Sequence, residues 1–215
     1  MACRDCCTTI GLEEIFGERR ARREMRRYRR RGVDRETNRL LAELAAAVPL
    51  EGATSFEVGA GVGGLSIELL RRGVARAAAI EALPHYAAAA RELADEAGVG
   101  DRFDIEVGDF AYAGHDQRYD VVVLNRVVCC YPDWRALLRP AAAMARRAVA
   151  LAYPREAWWT RALSKAINGV QGLLRRRYRN YVHPPAAMHQ ALRESGLEPR
   201  VVARDGVWEI LVATR

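Results

Sequence analysis

The sequence has no uninterrupted apolar run near the roughly 20 residues that a membrane-crossing helix requires, so no helix is expected to span a bilayer. Arg4 and Asp5 stand among cysteines where the apolar core of a secretory leader would lie, so no leader is expected and the expected location is the cytoplasm. Cysteine is scarce, five residues in two clusters, Cys3/Cys6/Cys7 and Cys129/Cys130. Adjacent cysteines rarely bridge each other, so no disulfide framework is expected. A zinc site wants four spaced ligands and no second half is evident, so no metal is expected either. There is no internal repeat and no low-complexity linker, which argues against a solenoid or a tethered array.

The 215 residues are 50% hydrophobic and 28% charged, the make-up of a soluble globular chain long enough for one substantial core. The net charge of +7 is almost wholly arginine, and eleven arginines fall between Arg19 and Arg39. A solvated helix face, a funnel for an anionic small molecule and a nucleic-acid arm all fit that run. Met25, Tyr28, Val33 and Leu40 keep apolar spacing through it, which predicts amphipathic helices packed on the domain. Residues 1–48 therefore read as a basic helical cap and residues 49–215 as the main domain.

Glu13 to Arg31 has helical composition and Gly32 breaks it. A second helix runs from Asp34, as N-cap, to Val48 before Pro49. Strand and helix signals then alternate, with strands expected at Thr54 to Gly59, Ala77 to Glu81, Phe103 to Val107, Tyr119 to Leu124 and Ala148 to Ala152. The run Val121, Val122, Val123 fits a strand buried on both faces. Such alternation predicts an α/β fold with a mostly parallel sheet and helices on both faces. Two strands around Asp205-Gly206 read as a hairpin, so the sheet should finish antiparallel. Between the fifth strand and this hairpin, Trp159, Leu163, Ile167, Val170 and Leu174 recur at helical spacing. That segment, about 155–185, reads as a lid over a ligand, and a basic amphipathic helix there equally suits a membrane surface.

The organising stretch is Glu57-Val58-Gly59-Ala60-Gly61-Val62-Gly63-Gly64, a strand that stops at glycines and opens a helix. Glycines remove Cβ atoms where a ligand would collide with them. The pattern Gly59-x-Gly61-x-x-Gly64 matches a dinucleotide fingerprint, with Glu81 about 20 residues on, and this leaves an NAD(P)-binding oxidoreductase as an alternative. Glu57 and Asp109 at neighbouring strand ends argue for a ligand rich in amines and hydroxyls instead of a diphosphate.

In this order the motifs resemble the class I S-adenosylmethionine-dependent methyltransferases, from about Leu40 to the C-terminus. The resemblance implies a Rossmann-like, seven-stranded sheet with a reversed last strand, S-adenosyl-L-methionine as cofactor and S-adenosyl-L-homocysteine as product. It implies that Glu57, Gly59, Ala60, Gly61 and Gly63 line the amino-acid portion of the cofactor. By the same resemblance Glu81 takes the ribose hydroxyls, Asp109 and Phe110 take the adenine, and Asn125 and Arg126 meet cofactor or acceptor at the fourth strand. The segment Leu124 to Pro132, with Tyr153-Pro154-Arg155, is similar to the branch of magnesium-protoporphyrin and ubiquinone-type O-methyltransferases. Where the porphyrin enzymes commonly carry His-Tyr, this chain has Cys130-Tyr131, so the porphyrin activity is not carried over.

Methyl transfer from a sulfonium is an in-line displacement in which positioning supplies much of the acceleration and a base is needed only for a protonated acceptor. Tyr131, His183 and Tyr28 are the candidates for base or orienter. Cys130, Tyr153, Arg155, Trp158 and Trp159 are the candidates for substrate contact, the tryptophans as a flat wall and the arginine as a clamp. The expected partner is a small cyclic or acidic molecule of specialised metabolism. An RNA acceptor is the alternative, against which the Asp/Asn-Pro-Pro-aromatic motif is missing at Asn125-Arg126-Val127-Val128.

Overall fold

The computed structural model describes residues 11–215, so the Cys3/Cys6/Cys7 cluster lies outside the described residues. Seven strands, β1 (Thr54–Val58), β2 (Arg76–Glu81), β3 (Phe103–Val107), β4 (Tyr119–Asn125), β5 (Ala145–Pro154), β6 (Glu198–Asp205) and β7 (Trp208–Thr214), form one sheet in the order β3-β2-β1-β4-β5-β7-β6. Pairing is parallel from β3 through β5, and β7 runs antiparallel to both β5 and β6. The chain adds β2 and β3 on one side of β1 and then returns to add β4 on the other. Ligands of open α/β sheets lie in the crevice that such a reversal leaves between neighbouring strand ends.

The preceding helices are α1 (Leu12–Ile15), α2 (Glu18–Arg31) and α3 (Arg35–Ala47). Interleaved with the strands are α4 (Gly64–Arg71), α5 (Pro84–Glu96), α6 (Trp134–Met144), α7 (Trp158–Leu173) and α8 (Pro185–Glu194). Strand β4 shows why the sheet takes helices on both faces. Its successive side chains point to opposite sides, Val121 and Val123 packing with Leu40, Leu44 and Leu93, while Val122 and Leu124 pack with Leu137, Leu138 and Leu192. All four β4 residues are completely buried.

Two segments differ from the sequence expectation. The predicted helix from Glu13 to Arg31 is split, because the chain turns extended at Gly17 before α2 begins. The break lets α1 fold back: Gly11 packs so tightly against Tyr178 that an added Cβ would lie 2.5 Å from its backbone nitrogen, and Arg177 N donates to Glu14 Oε2. The second difference is α7. Its inward face is polar, with Thr160 and Ser164 buried, whereas Trp158, Leu163, Val170, Leu173 and Leu174 face solvent.

Asp34 caps α3 as its sequence context predicts, accepting from Thr37 N at 2.9 Å. The second helix of the basic segment, α2, is fastened to α5 by Arg29, which bridges Glu92 and Glu96. Among the described residues no helix is long and apolar enough to cross a membrane.

Candidate functional site

The parallel register sets Val58 beside Ile80, and Glu81 beside Val107, so β1, β2 and β3 end together. A cavity of about 480 Å³ opens over those ends and over the tip of β4. Its floor includes Glu57, Gly59, Ala60, Gly61, Glu81, Asp109, Phe110, Asn125 and Arg126, and its roof comes from the N-terminal helices and from Tyr178 and Asn180.

The floor is shaped by the glycine turn. Gly59 has φ +68°, and a Cβ there would stand 2.7 Å from Val127 Cγ2, so the turn passes against the loop after β4. Gly61 has φ +55° and nothing within 4 Å of an added Cβ, which would project into open space. That is the backbone a close-lying ligand needs. Gly63 differs: its Cβ would strike Ala90 Cβ at 2.9 Å, so this glycine permits helix packing and does not line the cavity.

Three carboxylates stand on this floor in different states. Glu57 is buried and accepts from Ser66 N at 3.1 Å and Ser66 Oγ at 2.6 Å. Burial, helped by the nearby Glu81 charge, pushes its pKa up to about 8 against those bonds. Glu81 Oε2 accepts from Gly61 N at 2.8 Å and Oε1 from Leu83 N at 3.0 Å. Burial also raises Glu81, with these backbone donors opposing. Each of its oxygens keeps acceptor capacity, since a carboxylate offers about four lone-pair sites. Asp109 Oδ1 accepts from Ala111 N at 3.1 Å, and the Tyr131 hydroxyl approaches its two oxygens at 3.4 and 3.5 Å.

The β4 tip is joined to the N-terminal cover. Asn125 Nδ2 donates to Thr37 Oγ1 at 3.1 Å, and Arg126 Nη2 donates to Asp34 Oδ2 at 2.7 Å and to Thr37 Oγ1 at 3.2 Å. Arg126 holds a left-handed backbone, φ +61°, an unusual conformation for a side chain of this size. Asn125, at the edge of the cavity, has a buried Oδ1 with no hydrogen-bond partner among the described residues, an unsatisfied acceptor beside the site. Beside this tip Cys130 Sγ lies 4.0 Å from Cys129 Sγ and 3.3 Å from the Tyr178 hydroxyl. The bond from Cys129, then that from Tyr178, lowers the Cys130 pKa against burial.

Among the expected catalytic residues, Tyr28 and Tyr131 line the cavity and His183 does not. The Tyr28 hydroxyl donates to Glu68 Oε1 at 3.0 Å, and burial together with Glu68 raises its pKa, which disfavours the phenolate. His183 Nε2 sits 3.0 Å from Val128 O and 2.9 Å from Tyr131 O, bracing the loop after β4 from behind. Among the expected substrate contacts, Cys130 is in the cavity. Tyr153 is instead buried on the far side, its hydroxyl donating to Glu209 Oε1 at 2.6 Å and near His189 Nε2 at 3.2 Å. Arg155 lies over the Trp159 ring, and Trp158 points into solvent, because α7 turns its polar side inward; none of these three lines the cavity. The sequence reading missed Phe16, Arg20, Asp34, Thr37, Tyr86 and Tyr178, all of which line it.

The floor fits an S-adenosylmethionine-type ligand on these grounds: open space beside Gly61, an orphaned acceptor at Asn125, and carboxylates at successive strand ends. Comparisons agree. A protein-family profile described as a methyltransferase domain matches residues 25–202. The fold is similar to magnesium protoporphyrin IX methyltransferase from Synechocystis PCC 6803 with bound S-adenosylmethionine, at 24% identity and TM-score 0.65, covering 84% of this chain and 78% of that one. It is also similar to an O-methyltransferase family protein from Burkholderia thailandensis, at 19% identity and TM-score 0.72, covering 96% of this chain and 63% of that one. No curated protein matches the sequence. Glycine turn, strand-end carboxylates and a profile match over most of the length together show that the chain belongs to the methyltransferase-domain family and is a class I S-adenosylmethionine-dependent methyltransferase.

Proposed function

We propose that the enzyme methylates a small cyclic, acidic acceptor of specialised metabolism in the space between the strand tips and the N-terminal cover. The observation that supports this reading is the make-up of the roof: Phe16, Tyr86 and Tyr178 supply aromatic surface, and Arg20 and Arg27 supply guanidinium groups, Arg20 held by Glu24 at 2.8 Å and Arg27 4.0 Å from Asp34, over the floor assigned to the cofactor. Phe16 meets both Tyr86 and Tyr178 edge-on, at 6.4 and 5.9 Å, and Arg20 stacks on the Phe16 ring at 4.4 Å. Such a wall suits a flat ring, and guanidinium groups suit a carboxylate or phenolate on it.

When bound, the cofactor supplies an activated methyl group. The chain's own residues would hold it: Glu57 and Asn125 at its amino-acid end, Glu81 as acceptor for the ribose hydroxyls, and Asp109 as acceptor for the adenine amine. Tyr131, set against Asp109, positions that carboxylate. An acceptor that arrives as an anion needs no proton removed before the in-line displacement, which agrees with the protonated, Glu68-bound state of Tyr28. Residues 11–48 act as the cover, tied down through Asp34–Arg126 and Thr37–Asn125.

The test is transfer of labelled methyl to a panel of aromatic carboxylates, phenols, neutral amines and RNA. Aromatic acids or phenols should be the best acceptors, with Arg20→Gln raising their KM more than it lowers kcat. Preferential labelling of RNA would replace this reading.

A further inference from the structure

Helix α7 is amphipathic in the reverse sense for a helix on a soluble domain. Its inward arc is polar: Ser164 Oγ and Asn168 Nδ2 donate to Asn180 O at 2.9 and 2.8 Å, and Asn168 Oδ1 accepts from Asn180 N at 2.8 Å. Its outward arc carries Leu163, Val170, Leu173 and Leu174, with Leu173 84% exposed, and Trp158 stands 82% exposed at its first turn. No residue of α7 joins a hydrophobic core cluster among the described residues. Packing therefore leaves this apolar arc uncovered by any of the described residues.

Charge identifies what should cover it. Residues 155–181 hold seven arginine or lysine side chains and one acid, Glu156, which is paired with Arg161. Lys165, Arg175 and Arg177 are exposed beside the apolar arc. A second copy of the chain would bring this cationic rim against itself, whereas an anionic lipid surface attracts it. A protruding helix with an apolar arc, an exposed tryptophan and basic flanks is the form that lies in a headgroup layer.

We infer that α7 docks the enzyme on an anionic bilayer, its apolar arc in the headgroup and acyl boundary and its cations among lipid phosphates. The same helix clamps Asn180, which lines the cavity, so docking sets the roof of the acceptor space at the membrane surface. This inference concerns where the enzyme works and is independent of the acceptor proposed above.

The test is co-sedimentation of the full chain with vesicles of mixed phosphatidylglycerol and phosphatidylcholine, and with phosphatidylcholine alone. Binding to the anionic vesicles is expected, falling with added salt. The pair Leu173→Ser and Leu174→Ser should weaken it by about tenfold. Lys165→Gln and Arg175→Gln should each weaken it by about fivefold. Val107→Ser with Tyr112→Ser, at exposed apolar positions elsewhere, should leave it unchanged and exclude nonspecific adhesion. Absence of binding to anionic vesicles, equal binding by the Leu173/Leu174 pair, or a dimer in solution abolished by that pair without lipid binding would each overturn the inference.

Discussion

Glu57 should behave as a buried proton switch whose sign can be worked out. Its pKa rises to about 8 from an ordinary 4.5 because the carboxyl is buried, with only Ser66 donating to it. Between those values the folded chain binds this proton and the unfolded chain does not. The stability contributed is therefore complete below the ordinary value and is lost as pH rises through about 8. The linkage integral gives a loss of roughly 3 kcal/mol between about pH 5.5 and about pH 8 for this one group, or roughly 6–12 °C in Tm for a domain of this size. Glu57→Gln is the clean perturbation, since an amide oxygen can still accept from Ser66 and the titrating proton is gone. In thermal unfolding of the ligand-free enzyme across that range, Tm should fall more steeply with pH in the parent than in the variant, which keeps the contribution of the other raised carboxyl, Glu81. Cofactor binding brings a cation to the site and should release about one proton near neutral pH, measurable by calorimetry in buffers of different ionisation enthalpy. An identical pH slope in Glu57→Gln, or binding without proton release, would refute the reasoning.

The two glycines of the turn should separate by assay. Gly61→Ala should weaken S-adenosylhomocysteine binding, because its Cβ enters open cavity, while Gly63→Ala should lower Tm more, because its Cβ meets Ala90. Both share the left-handed backbone penalty of about 1 kcal/mol, so the contrast lies in what each Cβ meets. Asp109→Ala should cost ~1–3 kcal/mol of cofactor affinity by calorimetric titration, and a wild-type value would remove Asp109 from the adenine site. Glu81→Ala should raise the cofactor Kd more than Arg155→Ala, whose guanidinium lies over Trp159 outside the cavity. The reverse order would displace the ribose from Glu81.

Local pattern made the sheet legible. The β-branched run at Val121 to Val123, the glycine turn after Glu57 and the acid closing β2 each write their structure into neighbouring residues. The floor of the cavity follows directly, since strand tips in a parallel sheet converge whatever the loops do. Facing is where sequence falls short. Trp159 and Leu163 obey helical spacing, but spacing alone does not say which arc meets the protein, and here hydrogen bonds from Ser164 and Asn168 to Asn180 decide it. Tyr153 reads as a strand-end residue near the ligand, yet β5 turns it toward Glu209 and His189. His183 precedes a proline pair and looks available, but two carbonyls occupy its Nε2. The roof was missed because Phe16, Arg20 and Tyr178 come from distant parts of the chain and meet only after α1 folds back at Gly17.

That folding back separates two jobs along the chain. The cofactor floor is made by strand tips whose positions are locked by the pleated ladder, whereas the ceiling is assembled from a short helix and a returning loop fastened by a few side-chain contacts such as Phe16 on Tyr178 and Glu14 on Arg177. On the function proposed above, substitutions in the ceiling retune acceptor choice without disturbing how the methyl donor is held, which makes substrate range the property most open to change by small steps.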